Sequence, residues 1–247
     1  MEYQNNTLFE IIREDTSIIL FTKKNKNKKY SSVLIWLAGL EESSEDFLDM
    51  FTYNYNNYNL LPHPDQNKII LLCGEKMKIT AYALEPNGDE LIPSWFDVRS
   101  LFAINENNVN LINFDDVKKS TERISKVIEK EAKYLKGYEH IFLGGFSQGA
   151  CMSIHIGLSY EKKLGGIVCC SGALFPNTII NKNIENIGIF VSHGDLDDQI
   201  TEDINKLSIK RILHFPNLEF HYYPSIGHYI DQQTLADLSK FFNKYMK

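Results

Sequence analysis

The stretch IFLGGFSQGACMSIHIGL, residues 141–158, decides the fold. An apolar, strand-like run gives way to small, helix-compatible residues at a G-x-S-x-G turn, in which Gly145 and Gly149 flank Ser147. A strand, a sharp turn and a helix in that order form the nucleophile elbow, which holds a serine hydroxyl above a sheet. A bare G-x-S-x-G also fits a simpler interpretation, a glycine-rich turn whose serine caps the helix. Residues elsewhere in the chain must decide between the two.

Short β-branched runs alternate with helical segments from residue 33 onward. The runs are VLIWL (33–37), IILL (69–72), IFLGG (141–145), GGIVCC (165–170), IGIFVS (187–192) and LEFHYY (218–223). Amphipathic helices are predicted over residues 115–137, 202–213 and 231–246. Near-continuous apolar strands separated by helices predict an α/β fold, a mostly parallel sheet covered on both faces. TLFEII (7–12) and SIILF (17–21) predict an N-terminal β-hairpin.

Length and composition favour a soluble protein with a single domain of ordinary size. The 247 residues show no repeat and no linker, so residues 1–247 are expected to form a single domain. The formal charge of −6 argues against nucleic acid as a partner, because phosphate contacts require a basic face. No apolar run approaches the roughly 20 residues of a spanning helix, and the N-terminus lacks the features of a secretory signal. The four cysteines form no C-x-x-C pair, which favours reduced thiols in the cytoplasm.

Two polar segments interrupt this pattern. KKNKNKK (23–29) is either a solvated loop or a patch that touches an anionic membrane, so at most peripheral membrane contact is expected. TYNYNNYNL (52–60), biased to Asn and Tyr, is interpreted as a surface insertion.

A serine hydroxyl becomes a good nucleophile only when a base takes its proton and an acid orients that base. In the elbow fold these groups follow the order serine, acid, histidine, each on a loop after a strand. Of the seven histidines, His228 alone follows the last predicted strand and precedes the last helix, so it is the candidate base for Ser147. Asp195, Asp197 and Asp198 follow a strand end, and position alone leaves the choice of acid open.

These motifs resemble the acyl-protein thioesterase and carboxylesterase branch of the α/β-hydrolase superfamily. The resemblance runs from about residue 33 to the C-terminus and is carried by LGGFSQGA (143–150), PSWFD (93–97), HGDLD (193–197) and GH (227–228). It implies the α/β-hydrolase fold, with Ser147 as the nucleophile, Asp197 as the acid and His228 as the base. It also implies an oxyanion hole formed by the backbone N–H groups of Leu40 and Gln148.

The chain departs from the family pattern around the expected entrance to the site. The family's H-G-L-G-D loop falls on residues 38–42, where Glu41 replaces a glycine, restricting φ and bringing negative charge near the oxyanion. CGEK (73–76) stands where the family has a proline-containing turn. PSWFD has two interpretations: Ser94 and Asp97 form a helix-capping box, or Trp95 borders an acyl channel. Burial of Trp95 in the core is the alternative to the channel.

The function implied is that of a serine hydrolase that cleaves acyl thioesters or esters through an acyl-enzyme, with no metal or organic cofactor. The resemblance points to S-acylated proteins as substrates and to an acyl-protein thioesterase, with a lysophospholipase or short-ester carboxylesterase as alternatives. An alternative of another class is a non-catalytic binding protein in which Glu41 has spoiled the oxyanion hole. The sequence indicates no oligomeric state.

Overall fold

A computed structural model describes residues 8–52, 60–100 and 111–246. Its ten strands are β1 (Phe9–Glu14), β2 (Ser17–Thr22), β3 (Ser32–Leu37), β4 (Asn67–Leu72), β5 (Glu75–Met77), β6 (Ile92–Ser94), β7 (Ile141–Phe146), β8 (Gly166–Cys170), β9 (Gly188–Gly194) and β10 (Leu218–Tyr223). Eight of them form one sheet in the order β1-β2-β4-β3-β7-β8-β9-β10. β5 and β6 pair separately as a small antiparallel sheet.

The main sheet is parallel from β4 to β10 and antiparallel at the other edge. β3 pairs in parallel with β4 and β7, and the parallel pairing continues through β8 and β9 to β10. β1 and β2 form the predicted N-terminal hairpin, and β2 joins β4 antiparallel. Each of the six apolar runs has become a strand. Every residue of β3, β4, β7, β8 and β9 is buried, as expected of strands covered on both faces, whereas β10 at the edge of the sheet is mostly half-buried.

The helices are α1 (Leu48–Thr52), α2 (Phe114–Leu135), α3 (Gln148–Ser159), α4 (Glu202–Ile209) and α5 (Gln232–Tyr245). α2 begins where the Asn113 side chain accepts the N–H groups of Asp115 and Asp116, and it ends at Lys136 in the left-handed conformation. α4 is shorter than predicted, because the chain tightens into a 3₁₀ turn over Lys210–Ile212.

Alternating side chains of the strands fill two core clusters, one on each face of the sheet. In β3, Val33, Ile35 and Leu37 belong to the cluster under α2, α3 and α4, while Leu34 and Trp36 belong to the cluster under α1 and α5. Because both faces are covered, the ends of the strands are the part of the sheet left for a site. None of the helices in the described ranges is both long and apolar enough to cross a bilayer.

The segment PSWFD does not form the capping box that its S-x-x-D pattern suggests. Ser94 lies at the end of β6 and its hydroxyl donates to the Phe96 carbonyl at 2.9 Å. Asp97 accepts hydrogen bonds from the backbone N–H and the hydroxyl of Thr80, both at 2.6 Å. That interpretation is therefore wrong, because no helix begins at Ser94: its hydroxyl binds the Phe96 carbonyl, and Asp97 binds the first residue of the separate 3₁₀ turn Thr80–Tyr82. Most of the predicted insertion, residues 53–59, lies outside the described residues.

Candidate active site

Ser147 lies between the end of β7 and the first residue of α3, as the elbow pattern predicts. Its backbone has φ 53° and ψ −121°, a conformation that costs a residue with a side chain on the order of 1–3 kcal/mol. Two hydrogen bonds hold the backbone there: the Ser147 N–H donates to the Cys170 carbonyl at 2.9 Å, and the Ser147 carbonyl accepts the Cys151 N–H at 3.0 Å. The side chain makes no capping hydrogen bond to α3. The structure therefore disfavours the interpretation of Ser147 as a simple helix cap.

The two glycines that flank Ser147 are required by close backbone contacts. A Cβ atom on Gly145 would lie 2.5 Å from the carbonyl carbon of Gly149. A Cβ atom on Gly149 would lie 2.2 Å from the carbonyl oxygen of Leu37, at the end of β3. Both distances are shorter than real Cβ contacts, so any side chain here would push α3 away from the sheet.

The structure brings Ser147, Asp197 and His228 together in one hydrogen-bonded chain. The Nε2 atom of His228 lies 2.8 Å from the Ser147 hydroxyl, and its Nδ1 atom lies 2.8 Å from Oδ2 of Asp197. The three side chains follow β7, β9 and β10, whose carboxyl ends meet at one edge of the sheet because the strands are parallel. An acid, an imidazole and a hydroxyl in this relation have the geometry of a catalytic triad.

Backbone N–H groups distinguish Asp197 from the neighbouring aspartates. Its Oδ1 atom accepts the N–H groups of Gln199 and Ile200 at 3.0 and 2.9 Å, which turns the carboxylate inward towards His228. The exposed Asp195 instead accepts the Ser225 N–H at 2.7 Å. Asp198 is exposed as well, and the sequence had left all three aspartates open by position.

The surroundings of Asp197 keep its carboxyl group ionised. Burial alone would raise its pKa, but the hydrogen bond and charge of His228 and the Ile200 N–H outweigh burial, and the pKa lies below its ordinary value. The loop is also held by the buried His193, whose Nε2–H donates to the Ile200 carbonyl at 2.7 Å. Burial lowers the pKa of His193, which favours a neutral ring. The sequence argument passed over His193, because its contact with Ile200 depends on how the loop folds back.

Two backbone N–H groups are available where the family pattern places an oxyanion hole. Gln148 begins α3, so its N–H has no carbonyl of the same helix to bind. Leu40 lies between Gly39, whose N–H donates to Oε2 of Glu42 at 2.6 Å, and Glu41, whose N–H donates to the Pro93 carbonyl at 2.9 Å. Within the described part of the chain, the Leu40 N–H has no acceptor.

Glu41 has a left-handed backbone conformation, which glycine adopts more easily than a residue with a side chain. Its φ is 68°, in the left-handed region that glycine adopts without cost, and its side chain is exposed at the site. Its carboxylate lies beside the Tyr82 hydroxyl, and burial together with this carboxylate raises the pKa of Tyr82. The loop therefore tolerates the strain of a side chain at position 41.

A cavity of about 240 Å³ opens beside the Ser147 hydroxyl and the His228 ring. Its apolar wall is formed by Leu40, Phe96, Val98 and Ile200, and its polar wall includes Glu41, Tyr82 and Gln199. Trp95 does not line it: this side chain is fully buried, and its Nε1–H donates to the Ala38 carbonyl at 2.7 Å. The next residue, Phe96, lines the cavity instead of Trp95, which the sequence had suggested as a candidate lining residue.

The Gln148 side chain ties this wall to the nucleophile helix. Its Oε1 atom accepts the Trp95 N–H at 2.7 Å and lies 3.0 Å from the Ser94 hydroxyl, and its Nε2–H₂ group donates to the Phe96 carbonyl at 2.9 Å. One residue therefore offers a backbone donor at Ser147 and also fixes the segment that carries Phe96. Within the described ranges, no group of three or more His, Cys, Asp or Glu side chains is placed to hold a metal ion.

The chain is similar to known proteins over most of its length. Residues 21–246 match the family model described as phospholipase/carboxylesterase. Acyl-protein thioesterase 1 of Debaryomyces hansenii is 28% identical over 228 residues, which cover 89% of this chain and 94% of that protein. Acyl-protein thioesterase 1 homolog 1 of Dictyostelium discoideum is 31% identical over 219 residues, 87% of this chain and 91% of that protein.

Solved structures share the fold at lower sequence identity. Acyl-protein thioesterase 2 of Zea mays superposes with a TM-score of 0.70 at 18% identity, over 97% of this chain and 99% of that one. The carboxylesterase of Bacillus cereus gives a TM-score of 0.64 at 17% identity, over 98% and 97% of the two chains. The fold is that of the α/β-hydrolases, as the motifs implied. Since the family model extends over nearly all of its residues, the chain belongs to the phospholipase/carboxylesterase family.

Proposed function

We propose that the protein is a serine hydrolase that cleaves acyl thioesters and esters through an acyl-enzyme, acting as an acyl-protein thioesterase on S-acylated proteins. The observation that carries this proposal is the pair of 2.8 Å contacts that join Ser147 to His228 and His228 to Asp197 beside an open cavity. The names of the relatives support the same reaction.

In the acylation step, His228 takes the Ser147 proton through Nε2 while the serine oxygen attacks the carbonyl carbon of the substrate. The negative oxygen that forms accepts hydrogen bonds from the backbone N–H groups of Leu40 and Gln148. The carboxylate of Asp197 keeps the His228 proton on Nδ1 and stabilises the imidazolium as it forms. His228 then donates its Nε2 proton to the departing thiol or alcohol, and the acyl group remains as an ester on Ser147.

In the deacylation step, water takes the place of the leaving group. His228 accepts a proton from the water as its oxygen attacks the acyl carbonyl, and the same two N–H groups stabilise the second oxyanion. Collapse of this intermediate frees the carboxylic acid and returns the proton to Ser147. All the groups that the two steps require are supplied by side chains and backbone of this chain.

The choice of a thioester substrate rests on the leaving group and on the relatives. A cysteine thiol has a pKa of ~8.5, far below that of an alcohol, so a site able to cleave esters also cleaves thioesters. The family description favours phospholipids and small carboxylic esters as a second class of substrate. The four cysteines are free, which suits a reducing compartment, and we propose a cytoplasmic location on that ground.

Labelling with a fluorophosphonate probe tests the enzyme class. We expect the wild-type protein to be labelled and the Ser147→Ala variant to remain unlabelled, because the probe bonds to an activated serine. A folded wild-type protein that is not labelled would instead be a binding protein with a hydrolase fold. Rates on an S-palmitoylated peptide, a short-chain ester and a lysophospholipid, measured side by side, then decide between the substrate classes.

A further inference from the structure

The loop after β3 contains a carboxylate that the two-step reaction does not use. We propose that Glu42 is a positioning residue: its ionised carboxylate holds the Gly39 N–H and thereby aims the Leu40 N–H at the oxyanion. This inference rests on the proposed function, since it assigns Leu40 to the oxyanion hole. It adds a residue that never touches the substrate and acts through the backbone of its own loop.

The hydrogen bonds of the loop single out the Leu40 N–H. The amide before it, at Gly39, is bound by Oε2 of Glu42 at 2.6 Å. The amide after it, at Glu41, is bound by the Pro93 carbonyl at 2.9 Å. With both neighbouring peptide groups fixed, the orientation of the peptide group between them is fixed too, while its own N–H stays available to a ligand. The bond to Pro93 uses backbone only, whereas two side chains hold the start of the turn: Glu42 accepts the Gly39 N–H, and the Nε1–H of Trp95 donates to the Ala38 carbonyl.

The Glu42 carboxylate lies close to the reacting groups. A Cβ atom on Gly39 would lie 2.5 Å from Oε2 of Glu42 and 3.2 Å from Cβ of Ser147, so the carboxylate and the serine side chain both lie close to this glycine. A side chain at position 39 would displace the Glu42 carboxylate, whereas glycine leaves the carboxylate in contact with the loop backbone. The charges that act on Glu42 come from Asp46 on the following 3₁₀ turn and from His228 on the loop after β10.

Burial makes the charge of Glu42 depend on pH in the neutral range. Burial raises the pKa of Glu42 to about 7, and Asp46 acts in the same direction, while the Gly39 N–H and His228 lower it. An ionised carboxylate forms a stronger hydrogen bond to an N–H than a neutral acid does. The turn is therefore held most firmly above neutral pH and loosens as Glu42 takes up a proton. The negative charge of ionised Glu42 also favours the imidazolium that forms at His228 in both steps.

Substitutions at Glu42 separate its charge from its shape. Glu42→Gln keeps an oxygen that can accept the Gly39 N–H but carries no charge, and Glu42→Ala removes the acceptor. Glu45→Gln is the matched control, because Glu45 lies on the adjoining turn with its carboxylate on Arg13 in solvent. The assay is hydrolysis of p-nitrophenyl butyrate from pH 5.5 to 9, with kcat and KM measured for each variant, together with its thermal midpoint.

We expect Glu42→Ala to lower kcat about 10- to 100-fold with KM within threefold of wild type, since complete loss of an oxyanion donor costs ~10²- to 10³-fold. The ratio of wild-type to Glu42→Gln kcat should be near one at pH 5.5, where both side chains are neutral. It should rise about three- to tenfold through neutral pH. Glu45→Gln should follow wild type throughout.

Three results would overturn the inference: kcat of both Glu42 variants within twofold of wild type, a loss confined to KM, or a wild-type to Glu42→Gln ratio that is flat with pH. A merely structural role would lower the thermal midpoint and leave the ratio flat. Absence of turnover by the wild-type protein would instead count against the proposed function, and this inference would fall with it. Turnover that is lost in Ser147→Ala but unchanged in the Glu42 variants would refute only the role of Glu42.

Discussion

Replacement of Gln148 by alanine should detach the cavity wall from the nucleophile helix while leaving the backbone donor of residue 148 in place. The side chain is buried and contacts Ser94, Trp95 and Phe96. Its removal does not touch Ser147 or the N–H of residue 148, so the chemical step itself retains its groups. The perturbation therefore tests whether the wall at Phe96 matters to catalysis separately from the triad.

The cost in stability follows from the hydrogen bonds. The Phe96 carbonyl keeps a donor after the substitution, because the Ser94 hydroxyl lies 2.9 Å away. The Trp95 N–H is left buried without an acceptor, which costs ~1–3 kcal/mol, and loss of the bond to the Phe96 carbonyl costs about 1 kcal/mol. The sum is about 3 kcal/mol. For a chain of this length each kcal/mol lowers the thermal midpoint by ~2–4 °C, so the midpoint should fall by about 6–12 °C.

The assay is thermal unfolding followed by circular dichroism, together with kcat/KM for a butyrate and a palmitate ester. Because Phe96 lines the cavity, we expect kcat/KM for palmitate to fall about tenfold and that for butyrate to stay within about threefold, in line with ~1–3 kcal/mol for altered contacts in an apolar pocket. Gln199→Ala is the matched control, since this cavity residue is exposed and, among the described residues, its side chain bonds only to Asp198, at 3.2 Å. A midpoint within 2 °C of wild type, or equal losses on the two esters, would refute the reasoning.

Three further outcomes are expected. Asp197→Asn should lower kcat for ester hydrolysis about 10⁴-fold, because the imidazole loses its orienting carboxylate. Asp195→Asn should keep kcat within a few-fold of the wild-type value, and equal losses of kcat in the two variants would show that the acid is misassigned. Gly149→Ala should give little soluble protein, because its Cβ would lie 2.2 Å from a backbone oxygen, whereas Gly227→Ala, with its nearest contact at 3.6 Å, should melt like wild type. A normal melting curve for Gly149→Ala would contradict this. Burial lowers the pKa of His155 to about 4. As pH falls below ~6.5, His155 therefore becomes protonated in the unfolded state but stays neutral in the folded state until near pH 4. The free energy of unfolding should therefore drop by about 2 kcal/mol more between pH 7 and 5 in wild type than in His155→Gln, measured by urea unfolding, and an equal drop in both would exclude His155 as the cause.

The sequence predicted the sheet and the positions of the candidate site residues because those features depend on local pattern and chain order. A strand buried on both faces consists mostly of apolar residues, so its apolar run is visible without knowledge of its neighbours. His228 could be selected by its place after the last strand. The choice among Asp195, Asp197 and Asp198 could not be made in this way, because it depends on which carboxylate accepts the N–H groups of the loop that turns it inward.

Features that depend on how loops pack against each other could not be predicted. The strands β5 and β6 have three residues each, too few to show an alternating pattern. The aromatic residues of PSWFD are both buried, and only the course of the chain after β6 decides that Phe96, rather than Trp95, faces the cavity. The bond from Glu42 to the Gly39 N–H requires the tight turn of the loop, which four residues of sequence do not specify.

The candidate base follows the last strand of the sheet, so it is synthesised after the candidate nucleophile. The ribosome makes the chain from its N-terminus, so β7 and the serine turn can emerge and pair before β10 exists. β10 lies at one edge of the main sheet, and the loop that follows it carries the imidazole that reaches Ser147. A nascent polypeptide stalled before residue 218 would display the proposed nucleophile without its base. The proposed hydrolytic activity would therefore arise only after residues 218–245 have left the ribosome.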